Sequence, residues 1–160
     1  MKLHWVVYAL MTVVTWGVYG AFLNKGAIGF GHDRIKAFLF VGVAYFLVAV
    51  LAPLAYIAIY KTGFDFGKFP NGIVWSLIAG TMGAAGALTV LFALSNNPEK
   101  GPIAASQVMA LVFAGAPIVA AVYGLILKYQ DGTLKSINPL FIVGLLLGAS
   151  GGALVTLFKP

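Results

Sequence analysis

One side of the first apolar stretch combines aromatic and hydroxyl side chains. Its members follow helical spacing and share one face; they are Tyr8, Thr12, Thr15, Trp16 and Tyr19. Rings and hydroxyls of this kind suit the wall of a cavity that accepts flat or amphipathic molecules. They are equally suited to ring packing and hydrogen bonding between neighbouring helices. The pattern leaves both roles open.

A glutamine is the most polar side chain within any apolar stretch. Gln107 follows Ser106 near the start of the fourth stretch and shares a side with Ala110 and Ala114. An amide at this depth should face protein or a wet cavity, because lipid offers it no hydrogen-bond partner. Ser106 and Gln107 are therefore candidates for the same cavity. The alternative for Gln107 is a structural amide whose hydrogen bonds are satisfied within the protein.

The sequence offers little for catalysis or for metal binding. No Asp, Glu, Lys, Arg or His lies in the middle of any apolar stretch, both histidines (His4 and His32) lie at or outside the ends, and there is no cysteine. Proton-coupled transporters usually carry an intramembrane ionisable group, so coupling through a carboxylate is disfavoured. The glycine-rich run Gly26–Gly31 follows no predicted strand, which makes a phosphate loop a weak interpretation. We expect no catalytic residue, no metal and no cofactor, and hence no enzyme.

The composition indicates that lipid is the solvent for much of the surface. Hydrophobic residues make up 61% of the 160 residues and charged residues 9%, against roughly 45–50% and about 25% in soluble globular domains. The ten basic residues are scattered near the ends of apolar runs. This placement suits lipid headgroups and lacks the basic stripe of a nucleic-acid interface. The expected partner is a bilayer, and we expect no binding to nucleic acid.

Five stretches are long enough to cross a bilayer, because a hydrocarbon core of about 30 Å needs about 20 apolar residues. They cover approximately residues 4–23, 37–60, 72–95, 103–127 and 139–158. All five are too long and too uniformly apolar for barrel strands. We predict an all-α, polytopic transmembrane helix bundle that forms one domain, 1–160, in the cell membrane.

Two details qualify this arrangement of spans. Lys2 and the apolar run after it resemble a secretory signal, but Trp16 and Tyr19 are bulky where a cleavage region needs small residues. We therefore expect the first stretch to stay as a membrane helix.

Pro53 and Pro117 lie in the middle of the second and fourth spans, where each removes a backbone hydrogen bond and should kink its helix.

Small residues recur at helical spacing in the third and fifth spans. The glycines concerned are Gly80, Gly83, Gly86, Gly144, Gly148 and Gly152. Glycines so spaced let another backbone approach closely, and dispersion contacts then hold the helices together. We predict close helix packing at these positions, with a partner helix in this chain or in a second copy.

The distribution of charge does not decide the orientation of the protein in the membrane. With five spans, one face carries Lys2, Lys61, Lys68, Lys128 and Lys135, and the other carries Lys25, Arg34, Lys36, Lys100 and Lys159. Five basic residues against five give the positive-inside rule no preference. Either the protein inserts both ways round or other signals fix one orientation.

Several short motifs occur together along the chain. They are Thr15–Gly20 with Lys25 after it, Ala93–Ser95 followed by Gly101–Ala105, the mid-helix pair Ala116 and Pro117, and Gly144–Gly152. In these motifs the whole chain resembles one EamA-type unit of the drug/metabolite transporter superfamily. Members typically have ten helices, built as two inverted five-helix repeats around a central cavity. An acidic residue that members often carry near the end of the fourth helix is missing here, where the chain reads Leu127-Lys128-Tyr129.

The resemblance implies export or exchange of small metabolites and identifies no substrate. It also implies that a complete pathway needs a second unit, as a homodimer or with another protein. The leading hypothesis is therefore a dimeric, transporter-like protein with the first-helix face and Gln107 lining a shared cavity. The other hypothesis is a non-catalytic accessory subunit that packs its glycine faces within a larger membrane complex.

Overall fold

The computed structural model of the protein describes residues 4–60, 67 and 69–158. Within these residues the chain is helical and forms no strand. Five helical stretches are long and apolar enough to cross a membrane: Trp5–Gly29, Arg34–Tyr60, Pro70–Asn96, Gly101–Gln130 and Pro139–Leu157. The predicted all-α transmembrane fold is confirmed, and the protein is a multi-pass membrane protein.

The helices are α1 (His4–Gly29), α2 (Arg34–Phe46), α3 (Ala52–Tyr60), α4 (Pro70–Asn96), α5 (Gly101–Gln130) and α6 (Pro139–Leu157). A π-helical segment, Leu47–Leu51, joins α2 to α3, so that these three elements make up the second span. The basic residues Lys2, Lys61, Lys68 and Lys159 lie outside the described residues. The five-to-five balance of charge across the two faces therefore stays a prediction.

The first span is longer than predicted, because α1 continues through Asn24-Lys25-Gly26 to Gly29. A single glycine inside a helix costs only about 1 kcal/mol, which the neighbouring turns tolerate. The helix ends where Gly31 takes a left-handed φ of 66°. The Gly31 N–H donates to the Ile28 carbonyl at 2.9 Å and the His32 N–H donates to the Ala27 carbonyl at 2.8 Å. This pair of bonds is the Schellman motif, which satisfies carbonyls at a helix end.

The second span begins at Arg34, three residues earlier than predicted, because Asp33 caps it. One carboxylate oxygen of Asp33 accepts a hydrogen bond from the Lys36 backbone N–H at 3.1 Å, and the other lies 3.1 Å from the Lys36 ammonium. The backbone hydrogen bond, helped by the Lys36 side chain, lowers the pKa of Asp33 below its ordinary value. The cap thus fixes the first turn of α2 at its charged end.

The π-helical segment ends two residues before Pro53. In it the Ala52 N–H donates to the carbonyl of Leu47, five residues earlier, instead of four. Proline has no N–H and its ring crowds the carbonyl of the preceding turn, and a wider turn relieves that crowding. Pro117, by contrast, lies inside the continuous helix α5. The backbone next to Pro53 contains a π turn, and the kinks expected at Pro53 and Pro117 stay predictions.

The chain divides into two compact units, residues 1–22 with 97–160 and residues 23–96. In the first unit α5 packs along α6, and in the second α2 contacts α4. The buried apolar residues of the first unit are Ala104, Ala105, Val108 and Met109, and those of the second are Leu23, Ala27, Ala37, Ala87, Val90, Leu91 and Leu94. Most large apolar side chains are exposed, as expected where lipid covers them. The single-domain prediction stays a prediction.

Candidate functional site

The helix α6 approaches α5 closely at Gly152. A Cβ added to this glycine would overlap the Cβ of Ala114 and lie 3.0 Å from the carbonyl oxygen of Ala110. Ala110 and Ala114 are one helical turn apart, so two alanines of α5 face one glycine of α6. Small residues let the two backbones approach, which strengthens dispersion contacts between helices in lipid. No larger residue fits at position 152 without moving the helices apart.

Gln107 lies beside this contact and has hydrogen-bond partners on both sides. It is only 8% exposed. Its side-chain oxygen accepts a bond from the Asn97 amide at 3.2 Å, and its side-chain nitrogen donates to the Thr156 carbonyl at 3.0 Å. Thr156 is in the last turn of α6, where carbonyls lack a donor within the helix. Gln107 therefore acts as a structural amide that fastens α5 to the end of α6. Its predicted contact with a ligand stays a prediction.

The connection between α4 and α5 is organised around Asn97. Its side-chain oxygen accepts the Glu99 N–H at 2.8 Å, and its carbonyl accepts the Lys100 ammonium at 3.0 Å. From the sequence alone, Asn97 is only a loop residue. The sequence signal for this turn is local, because an asparagine side chain readily accepts a hydrogen bond from the backbone N–H two residues later. Its bond to Gln107, ten residues along the chain, has no signal in sequence spacing.

Ser106 lies in a different environment from Gln107. Its side chain is exposed, and its hydroxyl donates to the Ile103 carbonyl of the same helix at 2.8 Å. Successive residues of a helix point about 100° apart. The structure therefore does not bring Ser106 into the buried neighbourhood of Gln107, and the predicted contact of Ser106 with a substrate stays a prediction.

The two threonine hydroxyls of the α1 face bond to their own helix. The Thr12 hydroxyl donates to the Tyr8 carbonyl at 3.0 Å, and the Thr15 hydroxyl donates to the Met11 carbonyl at 3.0 Å. Neither hydroxyl therefore needs a partner on another helix. Tyr8 is 70% exposed and Trp16 is 39% exposed. The face therefore exposes the rings of Tyr8 and Trp16, while the hydroxyls of Thr12 and Thr15 are already satisfied.

The inner end of this face is formed by Trp16 and Tyr19. Their ring centroids are 5.6 Å apart, with the planes tilted by 41°, a favourable arrangement for aromatic pairs. Tyr19 is half-buried. The next residue, Gly20, is buried, and a Cβ there would lie 2.6 Å from the Met109 Cγ. The first and fourth spans are thus neighbours at this level, which the sequence alone does not establish.

The grooves beside these residues are shallow and open. One of about 420 Å³ runs along α1 and is lined by Val7, Leu10, Met11, Val14 and Thr15. Thr15 is the only member of the aromatic and hydroxyl face in that groove. Another of about 370 Å³ lies at the end of α5, around Tyr129 and Leu134. Each of these two grooves is lined by one helix and at most one further residue, so it forms part of a wall and not an enclosed chamber.

The other predicted packing positions have no neighbour among the described residues. A Cβ at Gly80, Gly83, Gly86, Gly144 or Gly148 would have nothing within 4 Å apart from its own helix. The prediction of close helix contacts at these five glycines stays a prediction. They are free to meet lipid, a solute or another protein.

In the part of the chain that the structure describes, no cluster of three or more histidine or acidic residues is placed to hold a metal ion. No protein-family model, curated protein or solved structure matches the chain. The resemblance to EamA-type units therefore stays a prediction.

Proposed function

We propose that this protein is one half of a small-molecule transport unit in the cell membrane. It is an EamA-like, five-helix chain that works as a homodimer or within a larger membrane complex, without proton coupling through a carboxylate. The observation that carries the proposal is the α1 face, which exposes Tyr8 and Trp16 next to two threonines.

The chemistry of this face suits a solute better than it suits lipid. Aliphatic side chains cover a helix adequately against acyl chains, as they do along much of α4 and α6. Aromatic rings offer flat surfaces for stacking, and the two threonines keep a polar edge beside them. At its inner end, Met109 lies against Gly20, and methionine adapts its shape to varied neighbours. These features favour flat or amphipathic metabolites as the substrate class.

The α1 face can form only one wall of a binding site, because it lies open. A second surface is needed opposite it. The uncovered glycines of α4 and α6 offer places where a second copy can approach closely. A homodimer would supply an opposing wall, and the resemblance to two-repeat transporters leads to the same arrangement. The unit is thus proposed to be complete only as a pair.

The accessory-subunit hypothesis has its own support. Gln107 is engaged by Asn97 and Thr156, and five glycines lie open for packing. Gentle detergent extraction followed by sizing separates the two hypotheses. A discrete dimer supports transport, whereas co-purification with unrelated large subunits supports the accessory role.

Flux through reconstituted protein tests the proposal directly. Proteoliposomes would be assayed with a neutral, a cationic and an anionic flat aromatic solute. Trp16→Ala should reduce the flux or binding of the transported solute by about five- to thirty-fold, because one aromatic stack is lost. Membrane abundance should stay near that of the parent.

The matched control is Trp75→Ala, because Trp75 is a 65% exposed tryptophan outside the proposed wall. It should leave flux within about twofold of the parent. Equal flux in the parent and in Trp16→Ala would reject α1 as the wall. No flux of any of the three solutes by the parent would reject the proposed substrate class.

A further inference from the structure

The turn between α1 and α2 is surrounded by basic side chains. Lys25 precedes the end of α1 by four residues, and Arg34 and Lys36 lie in the first turn of α2. Asp33 is the only acidic residue between Lys25 and Lys36. We call this segment, Lys25–Lys36, the basic hairpin; it carries two net positive charges when His32 is neutral.

Lys36, one of the three cations, occupies both carboxylate oxygens of Asp33, the single acidic residue of the segment. Lys36 approaches both carboxylate oxygens of Asp33, through its backbone N–H at 3.1 Å and its ammonium at 3.1 Å. Lys25 and Arg34 have no ion-pair or side-chain hydrogen-bond partner among residues 4–60, 67 and 69–158. Two cations of the basic hairpin are therefore available to an external anion.

The geometry of α1 places these cations at the level of lipid headgroups. A helix of 26 residues is about 39 Å long, which exceeds a hydrocarbon core of about 30 Å. Part of α1 therefore extends beyond the hydrocarbon, and the charged Lys25 favours its last turns for that part. A Cβ on Gly26 would lie 3.9 Å from the Ala37 Cβ, so Lys25 and Lys36 lie at a similar level on adjacent helices.

An aromatic pair accompanies the cations. The rings of Phe30 and Phe40 are stacked, with centroids 5.4 Å apart and planes at 17°, and both side chains are exposed. The pair gives the basic hairpin an apolar surface beside its charges. An anionic phospholipid is complementary to this surface. Its phosphate matches the cations, and its glycerol and acyl chains match the two phenylalanine rings.

We propose that the basic hairpin binds the headgroup phosphate of an anionic phospholipid through Arg34 and Lys25. The planar guanidinium of Arg34 donates two parallel hydrogen bonds to phosphate oxygens, and Lys25 adds a point charge. Phe30 and Phe40 contact the glycerol and the start of the acyl chains. This inference does not depend on the proposed transport activity.

Native mass spectrometry of the full chain in an uncharged detergent provides the test. Phosphatidylglycerol and phosphatidylcholine with identical acyl chains would be titrated separately. The parent should bind phosphatidylglycerol more tightly. Arg34→Gln and Lys25→Gln should each weaken that binding roughly fivefold, and the double variant roughly thirtyfold. The control Lys128→Gln, at an exposed lysine in the last turn of α5, should change it less than about twofold.

Charge-conserving variants separate binding from folding. Arg34→Lys and Lys25→Arg should keep most of the preference for phosphatidylglycerol, whereas a merely misfolded hairpin would not distinguish them from the glutamine variants. Equal binding of the two lipids by the parent would overturn the proposal. So would an equal loss in Lys128→Gln, or displacement of phosphatidylglycerol by equimolar inorganic phosphate, which would identify a site for free phosphate.

Discussion

Regularly spaced glycines occur in both α4 and α6, but their surroundings differ. Gly152 of α6 meets Ala110 and Ala114 of α5, whereas Gly80, Gly83 and Gly86 of α4 have nothing within 4 Å. A glycine permits a close approach, and the facing residues decide whether it occurs. On α5 the facing residues are alanines one turn apart. A small-residue repeat therefore marks an opportunity for packing, which a partner surface has to complete.

Helical geometry explains why the repeat in α6 is used at only one end. Residues four apart advance by about 40° beyond a full turn. Gly148 and Gly144 are therefore rotated by roughly 40° and roughly 80° from the direction of Gly152. Both lie open within the described residues. A partner helix that runs parallel to the α6 axis cannot follow all three glycines, whereas a crossed helix can.

The largest expected effect comes from filling the contact at Gly152. Gly152→Leu would force a side chain into Ala114 and the Ala110 carbonyl, and should lower the free energy of unfolding by about 3 kcal/mol. Reversible unfolding in mixed micelles measures this change. Gly148→Leu is the matched control in the same helix. Equal stability of the two variants would show that α5 and α6 separate at Gly152 without cost.

The polar fastening next to that contact should have the second-largest effect. Gln107→Leu keeps the approximate volume but leaves the Thr156 carbonyl and the Asn97 amide without this partner. The free energy of unfolding should fall by about 2 kcal/mol. Ser106→Ala should change it by less than about 0.5 kcal/mol, because Ser106 is exposed. If Gln107→Leu is as stable as the parent, the amide has no structural role.

The open glycines should respond in the opposite direction. Gly83→Leu and Gly148→Leu should leave the stability of the single chain unchanged or raise it by up to about 1 kcal/mol, because leucine favours helix more than glycine does. If a second copy covers these positions, the same substitutions should abolish the dimer. Unfolding in micelles and crosslinking in bilayers would be measured on the same samples. A lower single-chain stability would mean that another part of the chain packs there.

The smallest effect is expected where the contact is exposed, at the cap of α2. The lowered pKa of Asp33 means that its charge stabilises the fold above the ordinary carboxyl pKa. This contribution is lost as the pH falls through the lowered pKa of the folded protein. Asp33→Asn keeps a capping oxygen and removes only the charge. The small stability difference between parent and variant at neutral pH should disappear at low pH, and a difference independent of pH would contradict the ion pair.

The spans were predictable because length and apolarity report directly on burial in lipid. The ends of the spans were harder to predict. The helix α1 continues past Lys25, since headgroups tolerate polar residues on a continuing helix, and it ends just before the left-handed Gly31. The packing of Gln107 was beyond sequence reasoning. Its partner Thr156 lies 49 residues away, and uniformly apolar helices carry little periodicity that would reveal which side meets a neighbour.

The π-helical segment Leu47–Leu51 also sets the rotation of α3 about its own axis. A π turn holds about one residue more than an α turn, so the residues of α3 are turned by about 100° relative to an uninterrupted helix. The paired rings of Tyr56 and Tyr60, with centroids 4.5 Å apart, owe their direction to that extra residue. Deleting one residue from 47–51 would swing the tyrosines to another side without altering them. In this span the number of residues, as much as their identity, determines what the tyrosine pair meets.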